Sequence, residues 1–209
     1  MKKKLLLFDA DGVIVDSFEN GYGQVVKFIK QHSGESLSRE EYREFMETST
    51  LTNILTKAGL NPDKKAIPPE EIDLIFENYH ENTLVSGMPE VIEELAGISP
   101  IVIITSSLSS YVGDLFESYD MLQHVSAILG ADAAIHKDAK INMALEEFDS
   151  TVDQAVFITD TIGDVAEAQK TGIQVIGVTW GFHDRETMER GKPDIIVDNP
   201  NELLNIFLK

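Results

Sequence analysis

The chain has 209 residues, of which 43% are hydrophobic and 25% are charged, a composition that suits one sizeable globular core with a smaller second unit. The sequence contains no cysteine, which excludes disulfide frameworks, thiolate nucleophiles and cysteine-ligated metal sites. Its 36 acidic and 17 basic residues give a formal net charge of −19, and this charge disfavours nucleic acid and anionic membranes as partners.

Short apolar runs recur along the chain and are predicted to form the buried strands of a parallel sheet. They span residues 4–8, 101–105, 155–159, 174–179 and 194–197, with a weaker sixth run at 125–131. Segments with helical periodicity separate these runs, so strand and helix alternate along the chain. This alternation predicts an α/β fold with a doubly wound, Rossmann-like parallel sheet.

The stretch from residue 17 to residue 85 interrupts the alternation, because its apolar residues follow a helical spacing. One amphipathic stripe comprises Phe18, Tyr22, Val25, Val26 and Ile29, and a second comprises Ile72, Ile75, Phe76 and Tyr79. We therefore expect an all-α domain over residues 17–85, inserted into an α/β core formed by residues 1–16 and 86–209.

Polar side chains stand at the carboxyl ends of three predicted strands, which is where open parallel sheets bind their ligands. They are Asp9 and Asp11 after the first strand, Thr105 and Ser106 at the end of the strand at 101–105, and Asp160 and Asp164 after the strand at 155–159. Lys137, in the sequence HKDAK, lies just before a predicted helix between the last two groups. We expect all of these side chains to meet at one edge of the sheet.

Four carboxylates at one edge repel one another strongly, since a single pair about 4 Å apart costs about 4 kcal/mol at an effective dielectric constant near 20. Such a group is tolerated if the side chains splay apart, take up protons or hold a cation. Oxygen ligands without histidine or cysteine suit a hard ion such as Mg²⁺. The sequence therefore predicts a magnesium site, although Asp164 taken alone also fits a helix-capping role.

Four short motifs in this order resemble those of the haloacid dehalogenase-like superfamily of aspartate-nucleophile phosphohydrolases. They are DADGV at 9–13, IITS at 103–106, Lys137 in HKDAK, and DTIGD at 160–164. The C-terminal stretches GVTWGFHDRETM and KPDIIVDNPNEL resemble the phosphoglycolate phosphatase-like members of that family. The resemblance implies that the insertion at 17–85 is a helical cap domain.

The resemblance also implies roles for the four aspartates. Asp9 would be the nucleophile that forms an aspartyl-phosphate, and Asp11 would be the general acid and base. Mg²⁺ would be held by the carboxylates of Asp9 and Asp160 and by the backbone carbonyl of Asp11. Asp164 would contribute through water or by supporting the other ligands.

Three further residues would bind the phosphoryl group if the resemblance holds. Thr105 would donate a hydrogen bond from its hydroxyl, and Ser106 would donate one from its backbone N–H. Lys137 would supply a positive charge against the phosphate and Asp9, with Lys140 as the rival candidate for this role. The substrate would then be a small phosphorylated metabolite, bound in a cationic pocket within an acidic protein.

Other readings of the same residues remain open. A phosphomutase of the beta-phosphoglucomutase type carries a cap histidine ten residues past the second aspartate, where this chain has Gly21. A receiver-like signalling module also combines acidic residues, a threonine and a lysine, but lacks an inserted helical unit. A catalytically silent relative acting as an interaction module is a further possibility. We favour a Mg²⁺-dependent phosphatase.

Two aromatic residues after the strand at 174–179 have less certain roles. His183 is expected in a loop, with the rim of the site as the alternative, and Trp180 is expected to pack in the core rather than to stack on a substrate. No apolar stretch approaches membrane-spanning length, so we expect a soluble, cytoplasmic protein that acts as a monomer or homodimer.

Overall fold

The computed structural model of the protein describes residues 4–48, 50–61, 78–134 and 136–208. The strands are β1 (Leu5–Phe8), β2 (Val15–Asp16), β3 (Thr83–Leu84), β4 (Ile101–Ile104), β5 (Ala127–Leu129), β6 (Ala155–Thr159), β7 (Gln174–Val178) and β8 (Ile195–Val197). The helices are α1 (Phe18–His32), α2 (Arg39–Phe45), α3 (Thr50–Lys57), α4 (Met88–Ala96), α5 (Ser109–Ser118), α6 (Lys137–Glu147), α7 (Ile162–Gln169), α8 (Arg185–Gly191) and α9 (Asn201–Phe207). Short 3₁₀ turns lie at Tyr79–Glu81, Leu122–His124 and Val152–Gln154.

Six of the strands form one parallel sheet in the order β5-β4-β1-β6-β7-β8. Each predicted apolar run contains one of these strands, and the weak sixth run contains the edge strand β5. The chain builds outward from β1, first towards β4 and β5 and later towards β6, β7 and β8. The predicted doubly wound α/β fold is therefore confirmed.

Both faces of the sheet are covered by helices, which explains why the strands are apolar without alternation. Successive residues of a strand point to opposite faces, so Leu6 and Phe8 pack against α4, α5 and α9 while Leu5 and Leu7 pack against α6, α7 and α8. All four β1 side chains are buried, and burying one such side chain contributes about 1.5–3 kcal/mol. This rigid central strand fixes the position of the residues that follow it.

A small antiparallel pair joins the two ends of the inserted segment, the chain between β2 and β3. Val15 pairs with Leu84 and Asp16 pairs with Thr83. Each strand has only two residues, too few for a period-2 pattern, and the sequence analysis did not predict the pair. The pair holds the entry and exit of the inserted segment beside the end of β1.

The inserted segment contains α1, α2 and α3, which bury an apolar cluster of their own. Phe182, from the loop after β7, packs into this cluster. The other members are Val25, Phe28, Ile29, Leu37, Tyr42, Met46, Ile54, Leu55 and Ala58. Ser38 and Glu41 form a capping box that begins α2. The first predicted stripe is thus helical, whereas Ile72, Ile75 and Phe76 of the second lie outside the described residues. Among the helices that the structure describes, none combines the length and apolarity needed to cross a bilayer.

Candidate active site

The carboxyl ends of three adjacent strands bring the predicted polar residues together. Asp9 follows β1, Thr105 follows β4 and Asp160 follows β6, and β1 pairs directly with both neighbours. Asp164 lies in the first turn of α7, whose N-cap Thr161 accepts a hydrogen bond from the Asp164 backbone N–H. The parallel sheet therefore places these residues at one edge, as the sequence analysis expected.

Three carboxylates form a compact cluster at this edge. Asp9, Asp160 and Asp164 each offer one oxygen, and these oxygens all lie within 4.8 Å of one another. Asp9 is 4% exposed and Asp160 is 1% exposed. The fourth carboxylate that was expected here, that of Asp11, is not a member of this cluster.

Lys137, the first residue of α6, neutralises part of the cluster. Its Nζ lies 2.5 Å from Oδ2 of Asp9 and 2.7 Å from Oδ2 of Asp164. Lys140 lies one turn further along α6, and its Nζ donates to the backbone carbonyl of Thr105 at 2.5 Å. Both lysines are buried, but only Lys137 forms ion pairs with the carboxylates, so it is the lysine whose geometry fits the expected role.

The pKa values of the three carboxyl groups are shifted in different directions. Burial raises the pKa of Asp9 well above its usual value, against the attraction of Lys137 and with the repulsion of Asp164 and Asp160 adding to the rise. Burial likewise raises the pKa of Asp160 to about 7. Burial opposes the ionisation of Asp164 too, but Lys137 and hydrogen bonds to its carboxylate outweigh burial and lower its pKa. Burial therefore disfavours the charged forms of Asp9 and Asp160, and a further cation beside them would favour those forms.

The two lysines respond in opposite directions to the same surroundings. Burial alone would lower the pKa of Lys137, but the charges of Asp164 and Asp9 raise it above its usual value. Burial and the charge of Lys137 lower the pKa of Lys140 to about 8. The surroundings therefore favour the protonated, positively charged form of Lys137, whereas Lys140 loses its proton more easily than an ordinary lysine.

The cluster fits a hard divalent cation. Oδ2 of Asp160 accepts a hydrogen bond from the backbone N–H of Phe182 at 2.7 Å, but Oδ1 is buried without any hydrogen-bond partner. A buried carboxylate oxygen with no donor is costly, and two further carboxylates lie beside it. Oxygen ligands of this kind are those that Mg²⁺ prefers. The donor set thus matches the ion that the sequence predicted.

Gly12 keeps the space beside Asp160 open. Its φ of +75° is a left-handed conformation that favours glycine, and a Cβ at this position would collide with Oδ2 of Asp160. The turn at Gly12 also redirects the chain after Asp11.

Asp11 is held by hydroxyl groups from the loop after β4. Ser107 Oγ donates to Oδ2 of Asp11 at 2.8 Å, and Thr105 Oγ1 donates to the same oxygen at 3.4 Å. Thr105 is fully buried, and its Oγ1 also accepts from the backbone N–H of Ser107 at 3.0 Å. Ser106 is exposed and lines the cavity above the cluster. Of the predicted phosphate ligands, Thr105 therefore contacts Asp11, Lys137 pairs with Asp9 and Asp164, and Ser106 and Lys137 line the cavity.

A cavity of about 630 Å³ lies between the sheet edge and the inserted segment. Asp9, Asp11, Lys137, Asp160 and Asp164 line its sheet end. The wall that the inserted segment supplies, termed the opposite end, is lined mainly by uncharged residues, among them Ser17, Asn20, Tyr42, Tyr79 and Asn82, and its Tyr79 comes close to Asp11. The size suits a small metabolite.

Three residues of the site were not identified from the sequence. Thr159 Oγ1 donates to Asp164 at 3.0 Å and to Asp9 at 3.4 Å, Ser107 donates to Asp11, and Glu167 accepts from the backbone N–H of Lys137 at 2.6 Å. Each stands within three residues of a predicted site residue, so proximity in sequence was the available signal. Their bonds support the charged residues and keep them in place.

His183 and Trp180 connect parts of the molecule. His183 is buried, with Nδ1 accepting from the backbone N–H of Ile162 at 3.0 Å and Nε2 donating to the carbonyl of Arg43 at 3.1 Å. His183 lies in the loop between β7 and α8, as expected, and from there it links the start of α7 to the inserted segment. Trp180 packs on the core and donates from Nε1 to the carbonyl of Val13 at 3.1 Å, which confirms its packing role.

Comparison with known proteins gives the same picture. The model of the haloacid dehalogenase-like hydrolase family matches residues 6–178 of this chain. Phosphoglycolate phosphatase from Photorhabdus laumondii is 25% identical over 215 residues, covering 97% of this chain and 91% of that protein.

Solved structures resemble the whole chain. A haloacid dehalogenase-like family hydrolase from Streptococcus pneumoniae superposes with a TM-score of 0.81 at 25% identity, covering 98% of both chains. The structure of a predicted phosphatase from Clostridium acetobutylicum gives a TM-score of 0.85 at 23% identity and covers 100% of this chain and 99% of that one. The second likeness, at its lower identity, concerns the fold alone.

Proposed function

The chain belongs to the haloacid dehalogenase-like hydrolase family, and we propose that it is a Mg²⁺-dependent phosphatase that hydrolyses small phosphate monoesters through an aspartyl-phosphate. The observation that carries this proposal is the arrangement of two aspartates at the sheet end of the cavity. Asp9 is buried and ion-paired with Lys137, while Asp11 is hydrogen-bonded to Ser107. These surroundings support Asp9 as the nucleophile and Asp11 as the acid.

The reaction would proceed in two displacements at phosphorus. In the first, a carboxylate oxygen of Asp9 bonds to phosphorus as the bond to the leaving oxygen breaks, and Asp11 gives its proton to that oxygen. In the second, Asp11 takes a proton from water, whose oxygen attacks the aspartyl-phosphate. The Asp9–phosphorus bond then breaks, which returns the Asp9 carboxylate and releases inorganic phosphate.

We assign the phosphoryl oxygens to three donors of this chain. Lys137 supplies a fixed positive charge beside Asp9, Ser106 supplies a backbone N–H at the cavity, and Thr105 supplies its hydroxyl. The contact of Thr105 with Asp11 is long, at 3.4 Å, so its hydroxyl can be shared with a substrate oxygen. These donors offset the negative charge that the substrate brings into an acidic protein.

Asp9, Asp160 and Asp164 would hold the metal ion, together with the backbone carbonyl of Asp11. Bound there, Mg²⁺ would neutralise charge on the phosphoryl group during its transfer. The buried, unpartnered Oδ1 of Asp160 supports this assignment. It is the oxygen for which the protein itself provides no donor among the described residues.

We further propose that residues 17–85 act as a cap domain over a core formed by residues 1–16 and 86–209. The separate apolar cluster of α1, α2 and α3 supports this division. A cap over the cavity would exclude bulk water and hold the leaving group.

Hydrolysis is favoured over a mutase reaction by the surroundings of Gly21. A Cβ at Gly21 would come within 2.8 Å of the Tyr42 hydroxyl. A histidine of the mutase type would therefore not fit at this position unless Tyr42 moved. Tyr42 is buried in the cluster of the inserted segment, so such a movement would disturb its packing.

The direct test is release of phosphate from p-nitrophenyl phosphate, an aryl ester with a good leaving group. We expect turnover with Mg²⁺, loss of turnover after exhaustive chelation with EDTA, and recovery when Mg²⁺ is restored. Absence of phosphate release in the presence of Mg²⁺ would refute the phosphatase proposal. Full activity after chelation would refute the metal assignment.

A further inference from the structure

The described residues contain three buried side-chain polar atoms that make no hydrogen bond of good geometry, although the Tyr79 hydroxyl comes close to Asp11 and Ser107, and all three belong to residues that line the cavity beside the carboxylate cluster. They are Oδ1 of Asp160, Oγ of Ser17 and the hydroxyl of Tyr79. The first is explained by the proposed metal site. The other two lie in residues that are each 6% exposed, where an unsatisfied hydroxyl costs about 1–3 kcal/mol.

Two asparagines stand with these hydroxyls on the wall of the cavity. Nδ2 of Asn20 donates to Oδ1 of Asn82 at 2.9 Å and to the carbonyl of Asn78 at 2.7 Å. Since the oxygen of Asn82 accepts from Asn20, the group that Asn82 can still offer is its NH₂, a donor. Asn82 is buried as well. Ser17, Asn20, Tyr79 and Asn82 together form what we term the hydroxyl subsite.

The hydroxyl subsite lies beside Asp11, on the side where the leaving group must depart. Burial first, and the charge of Asp11 second, raise the pKa of Tyr79 well above its usual value. Tyr79 is therefore a neutral phenol at physiological pH and can donate a hydrogen bond. Because Asp11 would protonate the leaving oxygen, the body of the leaving group would lie against Tyr79.

The charges around the hydroxyl subsite disfavour an anionic leaving group. Among the described residues of the inserted segment that line the cavity, the charged one is acidic, Glu47, and it pairs with Arg190 at 2.7 Å. The nearby Arg43 is engaged elsewhere, since its Nε donates to the Phe182 carbonyl and its guanidinium covers the Phe18 ring. A carboxylate here would have no cation among the described residues of the inserted segment to pair with.

We propose that the hydroxyl subsite binds an uncharged, hydroxyl-bearing leaving group, so that the substrate is the phosphate monoester of a small polyol or sugar rather than of a hydroxy acid. This rests on the proposed phosphatase function. The substrate hydroxyls would satisfy the unpartnered groups of Ser17 and Tyr79, which donate and accept, and the NH₂ of Asn82. Satisfying buried polar groups gives strong discrimination against esters that lack them.

Two matched pairs of esters test the charge preference. 2-Hydroxyethyl phosphate differs from 2-phosphoglycolate in carrying a hydroxymethyl group in place of the carboxylate, and glycerol 3-phosphate differs from 3-phosphoglycerate in the same way. We expect kcat/KM to be at least about 10-fold higher for the hydroxyl member of each pair. Equal values, or a preference for the carboxylate members, would overturn the inference.

Removal of one hydroxyl tests the subsite itself. Tyr79→Phe should lower kcat/KM for glycerol 3-phosphate about 10-fold relative to kcat/KM for p-nitrophenyl phosphate, mainly through KM. Tyr119→Phe removes the same atom from a ring that is 44% exposed on the surface, and it should leave both values unchanged. If Tyr79→Phe changes kcat/KM for both substrates by the same factor, and its circular dichroism spectrum is native, the hydroxyl does not select the leaving group.

The control with p-nitrophenyl phosphate separates the two levels of the proposal. Turnover of the aryl ester together with a preference for carboxylate esters would refute the hydroxyl subsite alone. Absence of turnover for every ester, including the aryl ester, would refute the phosphatase function and the subsite with it.

Discussion

The two ends of the cavity are built from different chemistry. The sheet end carries three carboxylates and the ammonium group of Lys137, all placed by β1, β6, α6 and α7. The opposite end, supplied largely by the inserted segment, carries neutral hydroxyl and amide groups. The sheet end concentrates charge where a phosphoryl group would react, and the other end offers hydrogen bonds that an uncharged molecule can use.

The charged sheet end and the neutral opposite end also differ in the free-energy cost of burying their polar groups. Buried carboxylates are costly because burial disfavours their charged forms, and Lys137 only partly offsets that cost for Asp9 and Asp160. Unpartnered hydroxyls cost less and lose nothing when water or a substrate binds them. A bound cation would therefore stabilise the sheet end most, whereas hydrogen bonds from a substrate would stabilise the other end.

The largest effect is expected from the nucleophile. Asp9→Asn should lower turnover of p-nitrophenyl phosphate by at least about 1,000-fold, because an amide is a far weaker nucleophile than a carboxylate. Asp114→Asn, on the exposed surface of α5, provides a control with the same change. Near-native turnover by a folded Asp9→Asn protein would show that the reaction does not pass through this residue.

The two lysines of α6 should differ clearly in their importance. Lys137→Met removes the cation paired with Asp9 and Asp164, and we expect turnover to fall about 100-fold. Lys140→Met removes a donor to the Thr105 carbonyl, and turnover should fall about 10-fold or less. Steady-state kinetics with p-nitrophenyl phosphate distinguishes them, and a larger loss for Lys140→Met would reverse the assignment.

The free-energy cost of burying the Asp160 carboxylate can be measured from the pH dependence of the unfolding free energy in the absence of metal. Asp160 has a pKa of about 7 in the folded protein and about 3.9 when unfolded. The folded state therefore binds more protons between these values, so stability falls as pH rises from about 4 to about 7.

Asp160→Asn removes that titration. In EDTA at about pH 8, it should raise the free energy of unfolding in urea by roughly 1–3 kcal/mol, and less at about pH 5. Added Mg²⁺ should stabilise the native protein and not the variant. An Asp160→Asn protein less stable than the native one at both pH values would show that this carboxylate is not strained in the metal-free state.

The smallest effect, one on stability, is expected at His183, which links the start of α7 to the inserted segment. Burial lowers the pKa of His183, so the folded state keeps it neutral while the unfolded chain takes up a proton near pH 6.5. Its contribution to stability is present above about pH 6.5 and is lost as pH falls further.

His183→Gln keeps an acceptor and a donor but does not titrate in this range. Between about pH 7.5 and pH 5.5 the native protein should lose roughly 0.5–1 kcal/mol more unfolding free energy than this variant. Denaturant unfolding at both pH values measures the difference. Parallel losses in the two proteins would mean that His183 is not held neutral by the fold.

Much of the sheet end was predictable because its residues follow strands. A buried apolar run such as residues 155–159 predicts a strand, and the parallel arrangement places the next residue, Asp160, at the ligand-binding edge. The orientation of Asp11 was not predictable in this way. It depends on the hydrogen bond from Ser107, which lies 96 residues away in sequence.

The opposite end was largely hidden from the sequence. Tyr79 was interpreted as one residue of an amphipathic stripe, and Asn82 and Ser17 carried no motif at all. Their hydroxyl and amide groups meet because β2 and β3 pair and bring the two ends of the inserted segment together. Two-residue strands leave no pattern that a sequence can reveal.

The sequence by itself determined the doubly wound sheet, the family resemblance and the set of acidic residues at one edge, because apolar strands and the residues that follow them are adjacent along the chain. Only the tertiary structure decided that Lys137 rather than Lys140 contacts the carboxylates, that Asp11 bonds to Ser107 instead of joining their cluster, and that two buried hydroxyls make no hydrogen bond of good geometry. Such contacts join residues far apart in sequence, and their geometry depends on how helices pack on the sheet.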